Sequence, residues 1–209
     1  ELMDLISHAN DLEPSAVSMV DTYGLMHQEN LMHYYKLLNQ YLKPTIGLGY
    51  HSHNNFQMAY ANCIEMLSHK TDRMVLVDGT IYGMGKSAGN APLELLAMHL
   101  NEHYGKNYDI SQILEAVDAN VMPIYKMTPW GYNMFFFIAA SNDCHPNYVS
   151  YLMNKRTLSV KSINEILSKL EGEKQLMYDQ KLIEQLYLDY QNIEVNDEKD
   201  IAELTEQFK

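Results

Sequence analysis

The chain has 209 residues, of which 46% are hydrophobic, and its formal charge at pH 7 is −12. A chain of this length and composition can bury a real core, which excludes disorder as a description of most of it. The acidic balance excludes a nucleic-acid or anionic-membrane surface, because phosphate groups bind clustered Lys and Arg. Small molecules and protein partners are the expected ligands.

The two cysteines, Cys63 and Cys144, lie far apart and form no C-x-x-C motif. They therefore suggest neither a disulfide framework nor a thiolate zinc site, and a reducing, cytoplasmic location is expected. The longest apolar run, residues 134–140, is shorter than the roughly 20 residues that a membrane-spanning helix needs. We therefore expect no membrane segment.

Short apolar segments alternate with longer amphipathic segments from residue 16 onward. This pattern predicts parallel strands joined by helices. The predicted strands cover 16–20, 45–50 and 73–77. The predicted helices cover 1–10, 28–42 and 56–67, and a further helix begins near Ala91 and Pro92.

Beyond residue 105 helical periodicity replaces the strand pattern. The sequence therefore predicts α/β units over residues 1–105, a helical region over 106–170 and an acidic helical tail over 171–209. Residues 189–209 hold seven acidic and two basic residues, as expected for a solvated helix or a frayed tail. Within the helical region, helices are predicted over 109–125, 132–141, 146–153 and 159–170.

Polar residues follow each predicted strand. They lie at 21–24, 51–55 and 78–80. Because ligands of parallel α/β sheets and barrels bind at the carboxyl ends of the strands, we expect these three clusters to converge. The convergence indicates a functional site.

The segment His51-Ser52-His53 is the most informative of these clusters. Residues i and i+2 of a strand point to the same face, so the two imidazoles lie side by side while Ser52 points away. Two neutral imidazoles can hold a divalent ion and leave its other side open to a substrate. The alternative is a pair of ordinary histidines at a strand end. The strand placement and the following Asn54 and Asn55 favour the metal site.

A glycine-rich loop over residues 79–90 follows the third strand. Its spacing excludes a P-loop, since Thr80 stands where the first glycine is required, and it excludes a Rossmann fingerprint, since Gly89 comes one residue too late. The remaining interpretation is a flexible loop whose backbone around Gly85 can approach neighbouring groups closely. The loop ends on Asn90, just before a helix. Asn90 is interpreted as a ligand, as a helix N-cap, or as both.

Asp21 and Asp78 are carboxylates at strand ends. Each is interpreted either as a group that orients a ligating histidine or as a local turn or cap residue. Trp130 and Tyr132 are expected either to line a pocket or to pack against neighbouring side chains. Four further histidines are interpreted as surface or core residues, namely His69, His99, His103 and His145.

Three ordered segments together resemble the DRE-TIM metallolyases, a barrel family that includes 4-hydroxy-2-oxovalerate aldolase, hydroxymethylglutaryl-CoA lyase, and the isopropylmalate and homocitrate synthases. The likeness covers roughly residues 10–105. The H-x-H-N-N form and the loop before Pro92 look most like the aldolase branch. The segments are residues 20–26, 49–55 and 77–94.

The resemblance implies the C-terminal portion of a (β/α)8 TIM barrel, with about three βα units followed by helices. It implies that His51 and His53 ligate Mn²⁺ or Mg²⁺ and that Asn90 is a further ligand. It also implies that four neighbouring residues support these ligands or contact the substrate, namely Asp21, Asn55, Asp78 and Gly85.

The family's carboxylate ligand and catalytic Arg come from an Arg-Asp motif on the first strand, and this chain has no such motif. Its only arginines are Arg73 and Arg156, and neither precedes an Asp. We therefore expect a fragment whose Arg, Asp and general base lie outside the chain, and which is inactive in isolation. Three strands leave two open sheet edges, so a homo-oligomer is expected.

The resemblance implies an aldolase that cleaves a 4-hydroxy-2-oxo acid to pyruvate and an aldehyde. A Claisen-type condensing enzyme that uses acetyl-CoA and a non-catalytic metal-binding scaffold domain are the alternatives. Aldolases of the similar branch often pair with an acylating aldehyde dehydrogenase through a helical C-terminal region, but residues 106–170 show no convincing match to that region.

Overall fold

The structure, a computed structural model, describes residues 1–192. Residues Glu1–Asn133 form one compact unit, and a second unit begins at Met134. No helix in the described part of the chain is long and apolar enough to cross a membrane. The first unit contains a sheet of three strands, β1 (Ala16–Asp21), β2 (Gly47–Ser52) and β3 (Val75–Val77).

A helix follows each strand of the first unit, so the alternation predicted from the sequence is confirmed. A turn of 3-10 helix covers Ile81–Gly83, and a π-helical segment covers Val117–Val121. The helices are α1 (Leu2–Leu12), α2 (Gln28–Tyr41), α3 (Ala59–Ser68), α4 (Leu93–Tyr104), α5 (Ile110–Ala116) and α6 (Met122–Met127).

The three strands run parallel in the order β1-β2-β3. Val20 lies opposite His51, and Asp21 lies opposite Ser52. The backbone N–H of Asp78 continues this pattern by donating to the carbonyl of Tyr50 at 2.9 Å. The carboxyl ends of all three strands therefore lie at the same end of the sheet. This confirms the predicted convergence of the polar residues that follow the strands.

The two faces of the sheet differ in burial. Leu48, Tyr50 and Ser52 are every second residue of β2, so they share one face of the sheet. All three are fully buried beneath the helices. On the other face Val20 and Leu76 remain 53% and 39% exposed. His51 shares this open face, because it alternates with Tyr50 and Ser52.

Helix α2 shows how the covered face is held. Its residues Leu31, Tyr35 and Leu38 are spaced four and then three apart, so they form one apolar stripe, and all three are buried. They pack into the same core as Leu48 and Tyr50 of β2. Burial of each of the two leucines stabilises the fold by about 1.5–3 kcal/mol.

The second unit is helical in its described part. Residues 180–192 are also helical. Tyr148, Leu152 and Ile163 are buried in its core. Its other helices are α7 (Met134–Ser141), α8 (Pro146–Asn154), α9 (Val160–Leu167) and α10 (Glu173–Leu176).

The element boundaries differ from prediction mainly in β2, which was predicted over 45–50 and lies at Gly47–Ser52. Ile46 closes a turn through its N–H bond to the Lys43 carbonyl, so the strand begins after it and extends to include His51. The predicted domain boundaries after residues 105 and 170 stay predictions. Of the predicted acidic tail, residues 193–209 lie outside the described part of the chain.

Candidate metal-binding site

His51 and His53 lie side by side where β2 ends. Their ring centroids are 5.2 Å apart, and the rings meet edge to face. Ser52 points to the opposite face, is fully buried and donates its hydroxyl to the Ala59 carbonyl at 3.5 Å. The pairing of two imidazoles on one face, predicted from the i and i+2 spacing, is therefore confirmed.

Each imidazole is oriented by an oxygen at its Nδ1 atom. His53 Nδ1 lies 3.0 Å from the backbone carbonyl of Asp21, and His51 Nδ1 lies 3.1 Å from Asp78 Oδ2. A carbonyl or an ionised carboxylate only accepts hydrogen bonds, so both Nδ1 atoms carry the proton. In the neutral rings the lone pairs are then on the Nε2 atoms, which is how proteins commonly prepare histidines to ligate a metal.

Asp21 is both a turn residue and, through its backbone, a support for His53. Its carboxylate accepts hydrogen bonds from the backbone N–H groups of Leu25 and Met26, both at 3.0 Å. Burial raises the pKa of Asp21, and these backbone bonds oppose that rise. Asp78, by contrast, touches a histidine with its carboxylate, so the two acidic residues support the site in different ways.

Asn55 joins the turn after β1 to the glycine-rich loop. Its Nδ2 donates to the Tyr23 carbonyl at 2.8 Å, and its Oδ1 accepts from the backbone N–H of Ala88 at 3.1 Å. Gly24 makes this approach feasible, because a Cβ there would lie 2.7 Å from the backbone nitrogen of Asn55. Asn55 is buried, and its two hydrogen bonds hold these loops together.

Asn90 lies directly beside His53. Its backbone forms an antiparallel bridge with His53, and its Nδ2 donates to the Met84 carbonyl at 3.1 Å. Its Oδ1 is buried and has no hydrogen-bond partner among the described residues. A buried amide oxygen without a partner is costly, so this atom is suited to binding a cation.

The interpretation of Asn90 as a helix N-cap is wrong. Pro92 is the N-cap of α4, and no side chain caps that helix end. The side chain of Asn90 turns instead toward Gly85, where a Cβ would lie 2.7 Å from its Nδ2. Gly85 therefore contributes to the site by its lack of a side chain.

The residues present fit a divalent cation but do not complete its shell. Two imidazole Nε2 atoms and the amide oxygen of Asn90 are donors of the types that Mn²⁺ and Mg²⁺ accept in proteins. Within residues 1–192 no three His, Cys, Asp or Glu side chains come together as a metal site. The described residues therefore do not supply the carboxylate ligand that the resemblance implies.

Arg73 does not lie at the candidate site. Its guanidinium donates to the last carbonyls of α2, including that of Asn39 at 2.9 Å and that of Leu42. Arg73 precedes β3, so it lies at the amino ends of the strands, away from His51 and His53. Its role is to satisfy carbonyl groups at a helix terminus.

Backbone atoms are the site features that sequence reasoning missed. The carbonyls of Asp21 and Met84 orient His53 and Asn90, and no side-chain pattern reveals a carbonyl's direction.

Outside the site, His145 caps α8, which agrees with its interpretation as a structural residue. His69 contacts Glu65 at 3.0 Å and likewise takes no part in the site.

The sequence profile of the HMGL-like family matches residues 1–119 of this chain. Two curated relatives are both named 4-hydroxy-2-oxovalerate aldolase. The relative from Thermomicrobium roseum is 32% identical over 114 residues, and that from Thermus thermophilus is 34% identical over 115 residues. Each alignment covers 54% of this chain but only 31% and 32% of the respective relative.

A relative from Mycobacterium tuberculosis, named oxaloacetate decarboxylase, is 30% identical over 127 residues, which are 58% of this chain and 36% of that protein. This chain therefore spans about a third of the length of the curated relatives that it matches.

A solved structure shares the fold. It is the crystal structure of the N-terminal domain of a candidate aldolase from Bacteroides vulgatus, with a TM-score of 0.65 and 27% sequence identity. The match covers 78% of this chain and 51% of that one. The parallel βα units are thus the partial TIM barrel that the resemblance implied, in a family that generally uses a divalent metal. The chain belongs to the HMGL-like family, the DRE-TIM metallolyases.

Proposed function

We propose that this chain provides part of the divalent-metal centre of a carbon–carbon lyase that cleaves a 4-hydroxy-2-oxo acid to pyruvate and an aldehyde. The supporting observation is the pair of histidines whose Nδ1 atoms are both held by oxygens, leaving both Nε2 atoms free to ligate. The unpartnered Oδ1 of Asn90 beside them adds a third donor.

Mn²⁺ or Mg²⁺, when bound here, supplies Lewis-acid stabilisation of the oxygen charge that develops as the carbon–carbon bond breaks. His51, His53 and Asn90 would hold the ion at the carboxyl ends of the strands. Asp78 and the Asp21 carbonyl keep the two imidazoles in their ligating orientation. The 2-oxo acid approaches from the face that the helices leave uncovered.

The proposed reaction is a retro-aldol cleavage. A base takes the proton of the 4-hydroxyl, the C3–C4 bond breaks, and the C4–O bond becomes the carbonyl of the leaving aldehyde. The electron pair of the broken bond remains on the pyruvate half as its enolate, which takes up one proton to give pyruvate. The base, the arginine and the carboxylate ligand are proposed to come from polypeptide outside this chain.

Decarboxylation of oxaloacetate is a second candidate, and the relative from Mycobacterium tuberculosis favours it. It breaks the corresponding bond of a 2-oxo acid and also leaves pyruvate enolate, so the same ligands would serve. A condensation that uses acetyl-CoA is the remaining enzymatic alternative. Parallel assays with a 4-hydroxy-2-oxo acid, with oxaloacetate and with acetyl-CoA separate the three reactions.

The test uses the natural polypeptide that carries these residues, loaded with Mn²⁺. We expect it to release pyruvate from 4-hydroxy-2-oxo acids without CoA. His51→Ala and His53→Ala should each abolish both turnover and Mn²⁺ binding, because two imidazoles are the principal donors of this chain. Binding is followed by electron paramagnetic resonance of free Mn²⁺, independently of turnover.

The matched control is His33→Ala, which removes an exposed histidine on α2 away from the site. It should bind Mn²⁺ and turn over like the wild type. Full activity in either site variant would contradict the proposed ligands. Metal binding without cleavage of any of these substrates would favour the non-catalytic metal-binding domain.

A further inference from the structure

Three aromatic side chains meet beside the loop that carries Asn90. The ring centroid of Tyr125, in α6, lies 5.3 Å from that of Tyr82 and 4.9 Å from that of Trp130, in edge-to-face contacts. These residues come from three separate segments of the first unit. Their convergence is not required by the proposed metal ligands and calls for a separate explanation.

Two hydrogen bonds hold the cluster in place. Trp130 Nε1 donates to the Tyr82 carbonyl at 2.8 Å, and the backbone N–H of Tyr82 donates to Glu94 Oε2 at 3.0 Å. Tyr82 has a φ of 55°, a left-handed conformation that is unfavourable for a tyrosine and that these two bonds maintain. The aromatic wall is therefore formed before any ligand arrives, as is usual for small-molecule sites.

A cavity of about 210 Å³ opens between this cluster and the Asn90 loop. None of the described residues that line it carries a charge, although the chain as a whole has a charge of −12. The cavity reaches Asn90, one of the three proposed metal ligands, whereas His51 and His53 do not line it. The other principal lining residues are Asn54, Tyr82, Pro92, Tyr125 and Trp130.

The size of the cavity indicates which ligands it can bind. At roughly 30 Å³ for each water-sized group, 210 Å³ holds about seven non-hydrogen atoms. Acetaldehyde, with three such atoms, would leave more than half of this space unfilled. A phenyl ring or a chain of about six carbons fills most of it and gains contact with the aromatic walls.

We propose that this aromatic pocket, lined by Tyr82, Tyr125 and Trp130, binds the uncharged aryl or medium-chain alkyl tail of the substrate, the part that leaves as the aldehyde. The proposal rests on the proposed function for the identity of the substrate. The oxo-acid end is held at the metal ligands, and the tail extends past Asn90 into the pocket. The pocket thereby selects aldehydes longer than acetaldehyde.

Binding can be measured directly, because Trp130 is the only tryptophan of the chain. Its fluorescence is titrated without metal against benzyl alcohol, 1-pentanol and ethanol, which are uncharged analogues of the departing aldehydes. We expect saturable changes with the first two and at least tenfold weaker binding of ethanol. Equal affinity for all three, or no saturation, would overturn the proposal.

Tyr125→Leu removes one aromatic wall and should weaken the binding of benzyl alcohol about threefold to tenfold. Tyr125→Phe keeps the ring and should bind like the wild type, which separates loss of the wall from loss of folding. The matched control is Tyr41→Leu, the same substitution at an exposed tyrosine of α2. Wild-type binding by Tyr125→Leu would count against the pocket.

The metal-free titration keeps this proposal distinguishable from the proposed function. If the chain binds benzyl alcohol but the Mn²⁺-loaded natural polypeptide releases no pyruvate, the lyase is contradicted and the pocket is supported. With the active natural polypeptide, kcat/KM for a substrate that releases a phenyl or pentyl aldehyde should exceed that for one releasing acetaldehyde. An active lyase that prefers acetaldehyde would overturn the proposed selectivity.

Discussion

At the scale of single residues, His51 and His53 offer the same imidazole ligand but are oriented by different groups. His53 is oriented by a backbone carbonyl, which cannot be removed by mutation, whereas His51 is oriented by the side chain of Asp78. His51 is therefore the ligand whose orientation depends on a side chain. The i and i+2 spacing predicted that the rings share a face, but only the structure shows which oxygen holds each one.

Replacing Asp78 by Ala should weaken Mn²⁺ binding by about 10- to 100-fold, because groups that orient a ligating histidine contribute on that scale. The measurement is a Mn²⁺ titration by electron paramagnetic resonance or calorimetry. The matched control is Asp72→Ala, which removes an exposed carboxylate before the same strand. If the two variants bind Mn²⁺ equally well, Asp78 does not position His51.

At the scale of the element, the loop between β3 and α4 determines where Asn90 lies. Gly89 has a φ of 82°, and a Cβ there would lie 2.0 Å from the Gly83 carbonyl oxygen. The Asn54 N–H donates to the Gly89 carbonyl at 2.8 Å, which joins this loop to the histidine segment. The close approach of these backbones thus places Asn90 against His53.

Gly89→Ala should therefore destabilise the protein more than Gly105→Ala. Both glycines have positive φ, which costs alanine about 1–2 kcal/mol, but a Cβ at Gly105 would have no other atom within 4 Å. At Gly89 the steric clash should add about 1–3 kcal/mol and reduce Mn²⁺ affinity by displacing Asn90. Denaturant unfolding measures the difference, and equal unfolding midpoints with equal slopes would show that the loop has no such close contact.

The elements themselves were largely predictable from the sequence, because apolar periodicity depends only on which face is buried. All three strands and the helices that follow them were predicted at nearly their observed positions. The single helix predicted over 109–125 is interrupted by π-helical turns at Val117–Val121, and no residue pattern marks that change in hydrogen bonding. A pocket lined by Trp130 was one of the two interpretations of that residue, but Tyr82 and Tyr125 were not predicted to join it, since Tyr82 lies far from Trp130 in the chain.

At the scale of the whole molecule, the sheet of the described residues ends at β1 on one side and at β3 on the other. Both edges present backbone groups that a further strand could pair with. The open face adds exposed apolar side chains, with Val20, Met74 and Leu76 exposed by 53%, 52% and 39%. Unpaired edges beside exposed apolar residues favour association between polypeptides.

We therefore predict that the chain associates with itself in solution. Light scattering should give a mass above the 24.2 kDa of one chain. Leu76→Lys places a charge on the open face and should shift the mass toward 24.2 kDa, because burying an unpaired ammonium group at an interface is costly. Leu12→Lys makes the same change at a residue of α1 that is 81% exposed, and it should leave the mass unchanged. A monodisperse wild-type monomer would contradict the prediction, and equal effects of the two substitutions would place the contact away from the sheet.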